Sequence, residues 1–204
     1  MSRSICPVCE RPFKVCLCQW VESISNQVEL GILQHPTEVS QIKGSAKIVQ
    51  LAFKNCQTWI AEEIEQLESF KDWLNEGKAV FLLYPAIENQ IESFESFDIP
   101  QIQSKFLLED IKVLILDGTW RKTHKMMMLS STLRGLNRIS LVPKTSSNYL
   151  IRKQKNADSL STVEAVYETY VQLERDEEKY QPLLRAFESM QAQQLAFRKP
   201  PTTK

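Results

Sequence analysis

Long apolar runs are missing from this sequence of 204 residues. No stretch approaches the roughly 20 consecutive apolar residues that a membrane-spanning helix needs. The first eleven residues carry polar side chains and cysteines where a secretory signal would have its apolar segment. We therefore expect a protein that resides in the cytoplasm and has no membrane partner.

Glycine is also scarce, with five residues in the chain, and no repeated or low-complexity segment is present. Apolar residues make up 43% and charged residues 25% of the chain, as in ordinary globular proteins. A chain of this length can bury one substantial core with a small appendage beside it. We expect a knuckle over residues 1–25 and a main domain over residues 26–204. The sequence leaves the oligomeric state open and favours a monomer.

Acidic residues are absent from residues 118–157, although the formal net charge of the whole chain is zero. This segment, called the basic stretch below, contains nine basic residues: Arg121, Lys122, Lys125, Arg134, Arg138, Lys144, Arg152, Lys153 and Lys155. Residues 55–110 show the reverse balance, with twelve acidic residues against three lysines. Because phosphates attract lysine and arginine, the basic stretch predicts a face for a nucleic acid. The alternative is two unrelated solvated surfaces.

Apolar runs alternate with amphipathic segments along the main domain. Strands are predicted over residues 28–33, 79–84, 112–116 and 139–142. Helices are predicted over residues 43–54, 58–75, 120–129, 161–173 and, with Pro182 in the first turn, up to residue 196. This order predicts an α/β fold whose mainly parallel sheet is covered by helices on both faces. The loops that begin at His35, Tyr84, Asp117 and Pro143 should then converge at the carboxyl edge of the sheet.

Four of the five cysteines, Cys6, Cys9, Cys16 and Cys18, lie within thirteen positions. In a reducing cytoplasm such a cluster indicates a metal site rather than disulfides. Four thiolates suit a closed, structural zinc site, and an iron–sulfur cluster or redox-active pairs are the alternatives. We expect the remaining Cys56 to be buried on an apolar helix face as a small hydrophobic residue.

A carboxylate ends the predicted strand over residues 112–116, in the sequence Asp117-Gly118-Thr119-Trp120. Glycine permits a tight turn there, so that the carboxylate is presented at the end of the strand. In the alternative interpretation, this motif only caps the helix that follows, and Trp120 packs in the core. Similarly, His35 is either a site residue or an ordinary loop histidine. Ser161, with a glutamate three residues later, is either a site element or simply the start of a helix.

Taken in order, these motifs resemble the DTW-domain family, whose members are tRNA-uridine aminocarboxypropyltransferases. The resemblance extends from Cys6 to about Tyr170. It rests on Cys6-x-x-Cys9, Arg11-Pro12, Cys16-x-Cys18, His35-Pro36-Thr37-Glu38, Asp117-Gly118-Thr119-Trp120, Tyr149-Leu150-Ile151-Arg152 and the segment 160–165. The sequence departs from the family's pattern in two places. Residues 43–47 lack an Asn-Thr pair, and a proline is missing after Ile151.

The resemblance implies a SPOUT-like, knotted fold that binds S-adenosylmethionine and tRNA. The implied reaction transfers the 3-amino-3-carboxypropyl group to N3 of a uridine, in the bacterial variable-loop type of the family, and releases methylthioadenosine. Two other functions are open: an S-adenosylmethionine-dependent RNA base methyltransferase, and a non-catalytic, zinc-containing RNA-binding module.

The resemblance also implies roles for individual residues. The catalytic candidates are Asp117, Thr119 and Trp120, where Asp117 is either a base whose pKa is raised by burial or a group that orients the uridine N3–H. Trp120 would stack on uracil or adenine. The cofactor-binding candidates are Leu116, Gly118, Pro143, Tyr149, Arg152, Leu160, Ser161, Thr162 and Glu164. The RNA-binding candidates are His35, Glu38, Arg121, Lys122, His124 and Lys125.

Overall fold

Six strands form one parallel sheet in the part of the chain that the structure describes. The computed structural model describes residues 4–85, 94–141 and 160–197. The strands are β1 Glu29–Gln34, β2 Cys56–Ile60, β3 Ala79–Leu83, β4 Ser96–Phe97, β5 Ile111–Asp117 and β6 Asn137–Ile139. Their spatial order is β2-β1-β5-β3-β6-β4, and each neighbouring pair is parallel. The predicted α/β class with a parallel sheet is confirmed, whereas the knot stays a prediction.

Seven α-helices lie on the two faces of the sheet among the described residues. They are α1 Ala46–Ala52, α2 Glu68–Leu74, α3 Ile99–Lys105, α4 Trp120–Leu129, α5 Ser131–Gly135, α6 Thr162–Glu174 and α7 Glu177–Ala196. Helices α1, α3, α6 and α7 contribute to one apolar core, and α2, α4 and α5 contribute to the other. In the described ranges, no helix has both the length and the apolar character required to cross a membrane.

The alternating side chains of β5 explain why residues 113–116 are all apolar. Val113 and Ile115 point into the core beneath α1 and α6, whereas Leu114 points into the core beneath α2 and α4. Burial on both faces favours a continuous apolar run, and each such side chain contributes about 1.5–3 kcal/mol when removed from water. The strand therefore holds its last residue, Asp117, on a rigid support.

The helix predicted over residues 58–75 is wrong in its first half. Residues 56–60 form β2, the edge strand that pairs with β1 so that Trp59 lies beside Leu33. Thr58 and Ile60 are exposed and Trp59 between them is buried, which is the alternation of an edge strand. Cys56 consequently lies on a strand rather than on a helix face, although it does pack against the core.

Other predicted boundaries also shift. The strand predicted over residues 139–142 is β6, which begins at Asn137 and ends at Ile139. Helix α7 begins at Glu177 with Asp176 as its N-cap, so Pro182 lies inside the helix and not in its first turn. Helix α1 is shorter than the predicted 43–54, and β4 and α3 lie in a part of the chain for which no strand or helix was predicted.

Gly31 is the position in β1 where the sheet meets α2 most closely. A Cβ atom built there would lie 2.6 Å from Cη2 and 2.9 Å from Cζ2 of Trp73. Trp73 cannot move easily, because it is buried and donates a hydrogen bond from its indole N–H to the Glu29 carboxylate. Glycine at this position is therefore required by packing.

We expect Gly31→Ala to lower the free energy of unfolding by about 1–3 kcal/mol, the usual cost of overpacking a core. Chemical denaturation monitored by tryptophan fluorescence measures the change. Gly135→Ala is the matched control, since a Cβ at Gly135 has nothing within 4 Å. Equal denaturation midpoints for the two variants would contradict the packing argument.

Candidate functional site

Asp117 is held by three elements at the carboxyl edge of the sheet. It is the last residue of β5 and lies beside Gln34, the last residue of β1. The Gln34 side-chain amide donates to Oδ2 of Asp117 at 2.7 Å, and the hydroxyl of Thr162, at the start of α6, donates to Oδ1 at 2.8 Å. Asp117 is 6% exposed. Donors on both oxygens orient the carboxylate and stabilise its charged form.

The turn after Asp117 leads directly into α4. A Cβ at Gly118 would lie 3.2 Å from a side-chain carbon of Thr123 and 3.3 Å from one of Lys122, so glycine allows the turn to pass close to the helix. Thr119 is the N-cap residue of α4, and its main-chain oxygen accepts from the amides of Lys122 and Thr123 at 2.8 and 2.9 Å. Leu116, before the turn, is half-buried.

Trp120 projects from the first position of α4 and is 54% exposed. Its ring makes an edge contact with the buried Tyr84, with 5.6 Å between ring centroids. The alternative that placed Trp120 in the core is therefore wrong. The exposed indole lies three residues after Asp117, where it can offer a flat apolar surface to a planar ligand.

The loop that begins at His35 meets the loop after Asp117, as predicted. The His35 main-chain N–H donates to the main-chain oxygen of Asp117 at 2.9 Å. Its ring Nδ1 accepts from the Thr37 amide at 3.2 Å, and its Nε2 lies 2.9 Å from a carboxylate oxygen of Glu62. These partners assign the ring proton to Nε2. Both ring nitrogens are thus engaged within the protein, so His35 acts here as a link between loops.

Two lysines of α4 form ion pairs with acidic residues from other segments. Lys122 contacts Glu38 at 2.6 Å, and Lys125 contacts Glu62 at 2.7 Å. The hydrogen bond from Lys125, and then the one from His35, lowers the pKa of the Glu62 carboxyl. Glu62 belongs to the acidic residues 55–110, so one member of each charge run meets the other at this point. Helix α4 is thereby fastened to both loops.

The remaining described members of the basic stretch have different surroundings. Arg121 is exposed on α4, as is His124. Arg134 donates to the main-chain oxygens of Met127 and Met128 at the end of α4. Arg138 is buried, with its guanidinium 4.3 Å from the centre of the Phe94 ring. The predicted RNA face therefore excludes Arg138, which is a core residue.

Helix α6 starts beside Asp117 with the predicted capping box. The Ser161 hydroxyl accepts from the Glu164 amide, and the Glu164 carboxylate accepts from the Ser161 amide at 2.7 Å. Leu160, just before the cap, is half-buried. Of the other predicted cofactor-binding residues, Pro143, Tyr149 and Arg152 lie outside the described residues. The structure thus brings Leu116, Gly118 and the start of α6 to one edge of the sheet.

The four clustered cysteines have the geometry of a tetrahedral metal site. Zinc bound to four sulfur atoms at about 2.3 Å requires sulfur–sulfur separations of about 3.8 Å. The Sγ atoms of Cys6 and Cys18 are 3.7 Å apart, those of Cys9 and Cys16 are 3.6 Å apart, and all four lie within 4.8 Å of one another. Main-chain N–H groups of Cys9 and Val8 lower the pKa of the Cys6 thiol to about 6, whereas burial raises the pKa of the Cys18 thiol to about 12.

Gln34 is the site residue that sequence reasoning missed. Its signal was present but weak: it is a polar residue at the end of an apolar strand, next to His35. Its importance depends on β1 and β5 being neighbours in register, which places Gln34 beside Asp117. Sequence spacing alone cannot supply that pairing.

Comparisons with known proteins agree with this geometry. Residues 3–195 match the model of the DTW domain family. The curated relatives include three proteins named tRNA-uridine aminocarboxypropyltransferase 2. The protein from Drosophila melanogaster is 26% identical over 201 residues, which cover 95% of this chain and 76% of that protein. Those from Macaca fascicularis and Mus musculus are each 27% identical over 199 residues, covering 95% of this chain and 64% of each protein. No solved structure matches the chain.

Proposed function

The chain belongs to the DTW domain family, and from this membership and the site geometry we propose that it is a tRNA-uridine aminocarboxypropyltransferase. The proposed reaction transfers the 3-amino-3-carboxypropyl group of S-adenosylmethionine to N3 of a uridine. The observation that carries the proposal is the Asp117 carboxylate, which Gln34 and Thr162 orient at the carboxyl edge of the sheet beside the exposed Trp120. Ligands bind at this edge in open parallel sheets.

The residues at this edge of the sheet suit both the cationic and the anionic groups of the donor. When bound, S-adenosylmethionine supplies a sulfonium whose neighbouring carbons are electrophilic, and the one placed in line with the nucleophile reacts. A buried carboxylate, Asp117, suits a cationic group. The dipole at the amino end of α6 favours the donor's carboxylate, while the amides of Ser161, Val163 and Glu164 are engaged within the protein. In the same proposal Trp120 stacks on adenine or uracil.

Asp117 in this mechanism accepts the uridine N3–H and holds the base in line with the donor carbon. S-adenosylmethionine held at this edge would supply the carbon for the new N3–C bond and methylthioadenosine as the leaving group, and the N3 proton would pass to the Asp117 carboxylate or to water. Because Gln34 and Thr162 already stabilise the anion, the geometry favours orientation of the base over complete proton removal by Asp117. Ser161 and Glu164 keep the start of α6 in place through the capping box.

The cysteine cluster fits a structural zinc ion held by Cys6, Cys9, Cys16 and Cys18. Zinc in such a closed site stabilises the knuckle and takes no part in the transfer. We also propose the SPOUT-like knot, the bacterial variable-loop uridine as target, and the cytoplasm as location. The knot and the target uridine follow from the resemblance alone.

Two other functions make different predictions. A methyltransferase would use the same donor and leave S-adenosylhomocysteine instead of methylthioadenosine. A non-catalytic RNA-binding module would leave tRNA unmodified. Mass spectrometry of tRNA from cells that lack the protein separates them, since the proposal predicts loss of one aminocarboxypropyl-uridine. Unchanged nucleoside composition would reject the proposal.

Binding of tRNA should weaken as salt concentration rises, because phosphate contacts release counterions. Arg121 is the exposed basic residue of α4 nearest to Trp120 in sequence, so we expect Arg121→Gln to lower the salt slope of binding by about one. Filter binding at several salt concentrations measures the slope. Arg185→Gln, on α7 and outside the basic stretch, should leave it unchanged. A salt-independent affinity would mean that the basic stretch does not face RNA.

A further inference from the structure

A continuous series of contacts runs from the cysteine cluster towards Asp117. It starts at Arg11, whose main-chain oxygen accepts from the amide of Cys6, a predicted metal ligand, at 2.8 Å. The Arg11 side chain leaves the knuckle and donates to the main-chain oxygen of Gly44 at 2.7 Å. Arg11 is only 5% exposed, and its guanidinium also contacts Sδ of Met190 on α7 at 3.4 Å. The knuckle is thus fixed to residues 44–45, the segment just before α1.

The same segment contacts the start of α6. Ser45 is buried, and its hydroxyl oxygen accepts from the amide of Val163 at 3.4 Å. Val163 is the second residue of α6 and follows Thr162, whose hydroxyl donates to Asp117. Segment 44–45 therefore has the knuckle on one side and the residues that orient the carboxylate on the other.

We propose that Arg11 is a positioning residue, through which the metal-bound knuckle holds segment 44–45 against the start of α6 and so keeps Thr162 on Asp117. Without the guanidinium, the partly buried Gly44 carbonyl loses its charged donor, which makes the observed position of the segment less favourable. The amide of Val163 would then lose its fixed acceptor as Ser45 moves. This assigns the knuckle a role in ordering the site, beyond stabilising the fold. The consequence for catalysis rests on the proposed function, but the structural coupling does not.

A second contact, between the knuckle and α1, provides the matched control. Lys47 of α1 pairs with Glu10 of the knuckle at 2.7 Å. This pair is exposed, with 70% of the Glu10 side chain accessible, and it joins the knuckle to α1 and not to the Gly44 carbonyl. Exposed ion pairs contribute little. Lys47→Met therefore removes a link between the knuckle and α1 while it leaves the proposed route intact.

Hydrogen exchange of the zinc-containing protein, measured by mass spectrometry, tests the coupling without any ligand. We expect Arg11→Met to speed exchange in residues 161–166 by on the order of tenfold, whereas Lys47→Met should leave it unchanged. Zinc content should stay the same in both variants. Ser45→Ala keeps every contact of the knuckle and should speed exchange in the same residues, which covers the case that Arg11→Met does not fold. Wild-type protection of residues 161–166 in the Arg11 and Ser45 variants would overturn the proposal, as would equal loss in Lys47→Met.

Calorimetric titration with S-adenosylmethionine distinguishes positioning from partial unfolding. Positioning predicts that Arg11→Met raises the Kd by roughly tenfold at unchanged stoichiometry. A lower stoichiometry at wild-type Kd would mean that a fraction of the variant is unfolded, and would count against positioning. If the wild-type protein bound no S-adenosylmethionine while its exchange followed the expected pattern, the proposed function would fail and the coupling would stand.

Discussion

Asp117→Asn should reduce aminocarboxypropyl transfer by roughly 10²–10⁴-fold, the range expected when a group that handles the reacting proton is lost. Asparagine has nearly the same shape, so Gln34 and Thr162 should still surround it. Its uncharged amide oxygen is a weaker acceptor for the N3–H, cannot take up the proton and gives the sulfonium no counter-charge. The rate of methylthioadenosine release with tRNA in excess measures the effect. The affinity for tRNA should stay within a few-fold of wild type, because phosphate contacts dominate binding.

Asp110→Asn is the matched control for this experiment. Asp110 lies just before β5, at the opposite end of the strand from Asp117, and is exposed. The same change of chemistry there should leave the transfer rate unaltered. Activity of Asp117→Asn within a few-fold of wild type would remove this carboxylate from the mechanism.

Cys9→Ser should cause the largest loss of stability. Structural zinc contributes about 10–16 kcal/mol in isolated zinc-finger peptides, which is comparable with the whole stability of a typical domain, about 5–15 kcal/mol. Cys9 is fully buried, and the knuckle's Leu17 packs in the main core, so loss of the metal should also disturb the packing next to β1. We expect zinc content to fall well below one ion per chain and the Tm to drop. Metal analysis and thermal unfolding measure the two effects.

Cys56→Ser is the control for the metal site. Burial raises the pKa of the Cys56 thiol to about 12, so this residue stays a neutral thiol at physiological pH and lies outside the cluster. The variant should retain one zinc ion per chain. Wild-type protein that contained iron and absorbed visible light would support the iron–sulfur alternative, and protein without any metal would contradict both assignments.

The sequence predicts those parts of the fold that depend on local burial. The predictions of a strand over residues 112–116 and of a capping box at Ser161 are both confirmed. A strand buried on both faces and a helix start each have a recognisable local sequence pattern. The edge strand β2 has a weaker sequence pattern. Ile60 continues the apolar spacing of Ile64 and Leu67, so the sequence favoured one long helix, although Ile60 is exposed and Trp59 is the buried residue. Pairing with β1 decides the outcome, and that contact is between distant segments.

The site also has residues that the local sequence predicts and contacts that only the folded chain brings together. Asp117 and Trp120 could be predicted because the motif places them at the end of a buried strand. The ion pairs of Lys122 with Glu38 and of Lys125 with Glu62 could not be predicted, because each joins residues more than 60 positions apart. Counting charges along the chain suggested a basic face and an acidic face. In the folded chain one residue of each set, Lys125 and Glu62, forms an ion pair beside the site.

The most direct test of the central claim is to incubate the purified protein with tRNA and S-adenosylmethionine labelled with carbon-13 in its aminocarboxypropyl carbons. Mass spectrometry of the digested tRNA then shows what has been added to uridine. Our account predicts a labelled aminocarboxypropyl group on the base, with methylthioadenosine as the released product. An unlabelled methyl group on the base, released S-adenosylhomocysteine, or unmodified tRNA would contradict it.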